Sequence, residues 1–265
     1  MTREAPTRPS RRPAPRSATT LASAVVALVA LGLALTLSGC VGDAGAPEDD
    51  TAPAPIATMG QPIPTGDGVL TIGALVPLAG ADAPVGQAAL AGMELAARDI
   101  HTAGGVPGTR LVIIHADAAA PGALAGLVAR GADVVVGAVG GDALVTAGND
   151  GSAAGVAVLG LQPGTGVDDA AFDERLFGSD PGLTSTASGV EGYDAVVLVA
   201  LAALASGDDG AVSIARFLPE VSVGDTECAS FGACSDALRS RLGVRYAGAL
   251  GTLPATAPVL AGATG

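Results

Sequence analysis

The sequence predicts an α/β fold: a parallel β-sheet covered by helices on both faces, a three-layer αβα arrangement. Three observations carry this. Apolar runs of seven or eight residues recur at 69–76, 110–116, 132–139 and 155–161. Stretches with helical spacing stand between them at 86–103, 121–130 and 142–154. Gly- and Pro-rich turns punctuate the alternation. A strand that is apolar along its length is buried on both faces, and strands alternating with helices build a parallel sheet.

Each element follows from its residues. The first run ends at Pro77, which cannot continue a central strand. The first helix presents Ala89, Leu90, Met93, Ala97 and Ile100 on one face, at the spacing of a helix packed on a core. Gly104-Gly105-Val106-Pro107-Gly108 is a turn. The second strand centres on Leu111-Val112-Ile113-Ile114 and the third on Val134-Val135-Val136. Between them a short helix opens at Pro121. The helix over 142–154 is weakened by Gly148, Asn149, Asp150 and Gly151. After Gln162 the alternation stops. Residues 163–169 read as loop, 171–176 as a short amphipathic helix and Asp180-Pro181-Gly182 as a turn. Residues 191–206 carry Val196, Val197, Leu198, Val199, Leu201 and Leu204, apolar nearly all round, so this helix is expected in the core. A helix over 211–217 closes at Pro219, and a small helix over 235–242 follows a cysteine loop.

The N-terminus has a different character. Arg3, Arg8, Arg11, Arg12 and Arg16 precede an apolar run over 21–37, which ends at Leu37-Ser38-Gly39-Cys40. A basic start, an apolar stretch and small residues at a cleavage site define a secretory signal, and this one looks like a bacterial lipoprotein signal. The rival reading, a transmembrane anchor, needs roughly 20 apolar residues, and an acidic, Pro-rich segment follows here. Residues 1–39 are therefore expected to leave as signal peptide. Cys40 is the expected lipidation site, acylated with chains such as palmitate. Each buried methylene contributes about 0.8 kcal/mol to membrane attachment. The predicted location is the extracytoplasmic face of the cell membrane. Arg11-Arg12 leaves export by the general or the twin-arginine route open. Residues 40–68 read as the lipidated cysteine and a flexible linker.

Composition excludes several functions. All 13 basic residues are Arg, against 26 acids, for a net charge of −13. Removing 1–39 leaves eight Arg against 25 acids, or −17. Such a charge argues against nucleic acid or an anionic membrane surface as partner. With no Trp, four Phe and two Tyr, the core must be built from many small aliphatic side chains. Cys228 and Cys234 are an even pair in an oxidising compartment, so a disulfide is expected. A metal site would need further ligands, and His101 and His115 are far away in the chain. No Gly-x-Ser-x-Gly elbow, Walker loop or His-Glu-x-x-His is present. Asp168-Asp169 and Asp173-Glu174 read as solvated faces. No enzyme activity, cofactor or metal is expected.

Two groups of residues carry a family likeness. The first is Ile72-Gly73-Ala74-Leu75-Val76-Pro77-Leu78-Ala79-Gly80, then Gly86-Gln87 opening a helix, then Ala103-Gly104-Gly105-Val106-Pro107-Gly108. It resembles the opening of type I periplasmic binding proteins, specifically the branched-chain amino acid receptors of ABC transporters. The second comprises Asp180-Pro181-Gly182, Glu191-Gly192-Tyr193-Asp194-Ala195-Val196 and the Cys228–Cys234 loop. It looks like the late part of actinobacterial members. The resemblance covers most of 69–248. It implies a lipid-anchored substrate-binding protein that takes an amino acid or similar small solute and serves a membrane permease.

The chain also departs from that family. Members have two lobes that clamp ligand between them. Here 69–165 corresponds to the first lobe, 166–190 to a crossover or second-lobe remnant, and 191–248 to returning helices and the cysteine loop. Residues 249–265 are left as a loose tail. The second lobe is reduced or missing. Where the family places hydroxyl side chains on the ligand, this chain has Ala79, then Gly140 and Gly141, then Gln162 and Thr165. Backbone N–H groups at strand ends can still hold a carboxylate. The candidate contacts are Leu78, Ala79, Gly80, Gly140, Gly141, Gln162 and Thr165, each of which also reads as an ordinary loop residue. Tyr193 either lines the cleft or packs the buried helix. Two functions stand against each other: a receptor for an ABC importer, and a shortened relative that acts as an envelope interaction protein or is inactive. A hydrolase lacks a visible nucleophile and base.

Overall fold

The computed structural model describes residues 63–137, 149–151, 154–161, 169–251 and 260–261. Chain order is β1 (Val69–Val76), α1 (Ala83–Thr102), β2 (Arg110–Asp117), α2 (Ala123–Ala129), β3 (Val134–Gly137) and β4 (Ala157–Gly160). Then come α3 (Ala170–Ser179), α4 (Gly189–Ser206), α5 (Ala211–Phe217), a 3-10 turn (Glu220–Ser222) and β5 (Thr226–Cys228). The remainder is α6 (Phe231–Arg239), β6 (Val244–Tyr246) and β7 (Leu260–Ala261).

The main sheet has the order β2-β1-β3-β4-β7. Its first four strands are parallel, and β7 runs antiparallel to β4. Side chains alternate between the faces, as strand geometry requires. Leu70, Ile72, Ala74, Val76, Val134, Val136, Ala157 and Leu159 join the large core under α1 and α4. Leu75, Val135 and Val158 pack with Leu127 of α2 on the other face. The αβα layering expected from the alternation is present. β5 and β6 form a separate parallel pair.

Local chemistry sets several boundaries. α1 begins at Ala83, three residues before the sequence reading, with Pro84 in its first turn, where a missing N–H costs nothing. The last small helix begins at Phe231, earlier than expected, because Ser230 caps it: its Oγ accepts from the Ala233 N–H at 3.2 Å. Cys234 therefore sits inside α6, and the expected Cys228–Cys234 disulfide ties that helix to β5. Asp169 caps α3 in the same way, accepting from the Phe172 N–H at 2.8 Å. Of the helix expected over 142–154, residues 149–151 and 154 are helical and the rest lie outside the described residues. β7 lies within the stretch read from sequence as a loose tail, paired to β4 through two residues.

α4 is the centre of the core. It is long and apolar enough to cross a membrane by length and composition, yet it lies packed inside the protein, with Val196, Val197, Val199, Leu201 and Ala202 almost fully buried. Each such Val or Leu contributes roughly 1.5–3 kcal/mol by leaving water. α4 crosses α1 at backbone contact distance. A Cβ on Gly92 would lie 1.8 Å from the Gly189 carbonyl oxygen, and one on Gly192 would lie 2.2 Å from that of Ala89. Only glycine permits this approach. Gly192→Ala is expected to cost about 2–3 kcal/mol by forcing the helices apart. Urea denaturation with an unchanged m-value checks this; an unaltered midpoint would show that the crossing tolerates a methyl group.

Candidate functional site

The chain leaves β1, forms β2 on one side of it, then returns to form β3 on the other. The carboxyl ends of β1 and β3 therefore flank a topological switch point, where open α/β sheets bind ligands. The β1 side of this crevice is the loop Pro77-Leu78-Ala79-Gly80, with Ala79 and Gly80 exposed. Leu78 donates its N–H to Asp117 Oδ1 at 3.2 Å, and the same oxygen accepts from Ala119 N–H at 3.1 Å. Asp117, the last residue of β2, thus fixes the loop. Gly80 turns the chain at φ +79°, and its carbonyl accepts from the Ala83 N–H at 3.4 Å as α1 begins. The N-terminus of α1, whose dipole favours an anion, consequently stands beside the exposed residues Ala79 and Gly80.

On the β3 side, Gly137 adopts φ +144°, and a Cβ there would lie 2.0 Å from the Leu75 carbonyl oxygen. A side chain at this position would push β1 and β3 apart at the mouth of the crevice. Gly140, Gly141, Gln162 and Thr165, the other sequence candidates, lie outside the described residues, as does Cys40. The described part of the site therefore holds Leu78, with its amide committed, and Ala79 and Gly80, which face solvent.

Tyr193 occupies a different setting. Its ring meets Phe172 edge to face at 5.6 Å and lies under the Arg175 guanidinium at 5.9 Å. Its hydroxyl donates to Asp99 Oδ2 at 2.7 Å, and Arg175 pairs with the same carboxylate. Burial, then the bond to Asp99, raises this phenol above its ordinary value. The tyrosine packs α4 against α1 and α3. Asp117 was the residue the sequence reading missed; its signal was a carboxylate closing β2, the strand beside β1. Among the described residues, no three His, Cys, Asp or Glu side chains are placed to hold a metal ion.

Two aspartates, Asp133 half-buried and Asp194 buried, lie away from the crevice. Asp133 is pushed up to about 6, chiefly by burial, against the Thr71 N–H it accepts at 2.8 Å and with added repulsion from Asp209, Asp67 and Asp208. Asp194 also rises to about 6 through burial, although it accepts from Tyr246 Oη at 2.6 Å and from the Ala249 N–H at 2.8 Å. Asp208 moves the other way: slight burial raises it, but the Ser213 hydroxyl and the amides of Gly66, Thr65 and Gly210 outweigh that and lower it. The two raised groups bind a proton more tightly folded than unfolded, so they add stability as pH falls through about 6 toward 4. Asp208 gives stability back only below about 4. The melting midpoint is expected to be higher at pH 5 than at pH 7.5. Asp133→Asn should raise the pH 7.5 value and flatten the profile. A midpoint that falls on acidification to pH 5 would contradict this.

No protein-family model and no curated protein matches the chain. Solved structures align with parts of it. The branched-chain amino acid transporter substrate-binding protein LivJ from Streptococcus pneumoniae, in complex with isoleucine, is 25% identical over 37% of this chain and 30% of its own, with a TM-score of 0.30. An ABC transporter solute-binding protein from R. palustris, in complex with benzoate, is 25% identical over 36% of this chain and 28% of its own, at 0.30. A candidate branched-chain amino acid ABC transporter from Silicibacter pomeroyi is 19% identical over 67% of this chain and 46% of its own, at 0.31. The chain spans less than half the length of each. At these TM-scores the fold rests on the strand order and layering above, not on the alignments.

Proposed function

We propose that this chain is an extracytoplasmic substrate-binding lipoprotein of an ABC importer for amino acids or related small polar solutes. In this reading Cys40 carries the lipid that holds it to the outer face of the cell membrane, and a membrane permease receives the solute. The observation that supports the reading most lies around the carboxyl end of β1, where the exposed residues Ala79 and Gly80 stand between the N-terminus of α1 and Asp117 of β2. Amides beside a helix N-terminus suit a ligand carboxylate, and a carboxylate such as Asp117 suits its ammonium. Gly140, Gly141, Gln162 and Thr165 would complete the wall.

A second reading has its own support. The crevice loop is open to solvent at Ala79 and Gly80, and the chain spans 28–46% of the aligned transport proteins. A one-lobed relative that no longer clamps ligand, acting as an envelope interaction protein or inactive, would look the same. Thermal melts of the full chain with a panel of amino acids and small amides separate the two. Ligand at 100 times its dissociation constant adds about 2.7 kcal/mol, a rise of several degrees for a domain of this size. Ala79→Asp, at an exposed position, should abolish that rise without lowering the unliganded midpoint. A sharp melt that no compound moves would favour the non-transporting relative.

A further inference from the structure

A second concavity lies away from the crevice loops. It is a groove of about 370 Å³ between the end of α4, the end of α5, the 3-10 turn and the α6–β6 connection. Its walls include Leu204, Phe217, Val221, Leu238 and Leu242, with Leu242 about half exposed. That volume falls in the range of small-molecule sites, which are apolar with a few placed polar groups.

The polar groups here are Arg239, Arg241 and Glu220. Arg241 is the unpaired cation of this group among the described residues: Arg239 pairs with Asp236 outside the groove. Arg239 is anchored, donating to Ser235 Oγ and Asp236 Oδ1, both at 3.2 Å. Among the described residues Arg241 forms no ion pair. Its backbone is unusual. α6 ends in a Schellman motif, with the Leu242 N–H donating to the Ala237 carbonyl at 3.0 Å and the Arg241 N–H to the Leu238 carbonyl at 2.8 Å. The left-handed position of that motif ordinarily holds glycine, and here it is Arg241 at φ 60°. The chain accepts a backbone penalty to place a guanidinium at the rim of an apolar groove.

We propose that this groove binds a small organic anion with an apolar body, a monocarboxylate whose carboxylate meets Arg241 and Arg239 and whose body lies on Leu204, Leu238 and Leu242. None of these residues belongs to the crevice loops, so the groove and the crevice succeed or fail separately. The probes are hexanoate and its neutral counterpart hexanamide, titrated into the full chain while the Leu and Val methyl NMR signals are followed. Hexanoate should shift the groove methyls saturably, and hexanamide should bind about tenfold more weakly, since a charge-assisted contact is lost. Arg241→Gly should bind hexanoate about tenfold more weakly while melting at the same or a higher temperature, because glycine suits the position; Arg241→Asn, which also tolerates it, provides a second variant. Absence of saturable shifts, equal binding of the amide, or undiminished binding by both variants would overturn the proposal.

Discussion

The backbone-to-backbone crossing of α1 and α4 is the constraint on which the rest of the structure depends. Small residues at Ala88, Ala89, Gly92, Gly189 and Gly192 bring the two helices close enough to share one core over the sheet. With few aromatic residues, the protein cannot fill gaps with large rings and must remove them by close approach. The same crossing places Tyr193 where its hydroxyl reaches Asp99 and its ring meets Phe172, so α3 is secured by the α1–α4 pair. At the next residue of α4, Asp194 holds Tyr246 and the Ala249 amide, which tethers β6 and its following turn. The disulfide then ties α6 to β5.

Much of this was legible in the sequence. The four parallel strands are dense in Val, Ile and Leu, and the helix over 191–206 is apolar nearly all round, so strand positions and the burial of α4 followed from periodicity. The chemistry around the cysteines was harder to read. Ser230 starts a helix through one cap bond, and a hydroxyl among Ala, Ser and Gly carries little pattern. β5, β6 and β7 are two or three residues long, too short for any alternation to register, and pairing alone defines them. Tyr193 could be read either way because a tyrosine on an apolar helix suits a core or a cleft. Its contact with Asp99, 94 residues earlier, is tertiary and leaves no local signal in the sequence.

Charge is distributed with a similar economy. Arginine is scarce beyond residue 39, and its placement is informative: Arg175 serves the Asp99–Tyr193 cluster, Arg245 pairs with Glu227, and Arg239 and Arg241 border the groove. Acids gather at the start of β1, where Asp208 and Asp209 accept from the amides of Gly66 and Gly68 and Asp133 accepts from Thr71. They hold the beginning of the sheet to the turn after α4 at the cost of mutual repulsion. At the carboxyl end of the sheet, among the described residues, Asp117 holds the loop after β1 through Leu78 and its own loop through Ala119.

The central claim is that the described sheet, with α1 and α4 locked together over it, opens as one cooperative unit. Native-state hydrogen exchange on the full chain tests it most directly. Amides in β1, β3, α1 and the buried middle of α4 should share one opening free energy, equal to that from global denaturation, since foldons open as units. If the amides of α4 exchanged with a much lower free energy than those of β1 and β3, the crossing would not hold the fold together and the account would be wrong.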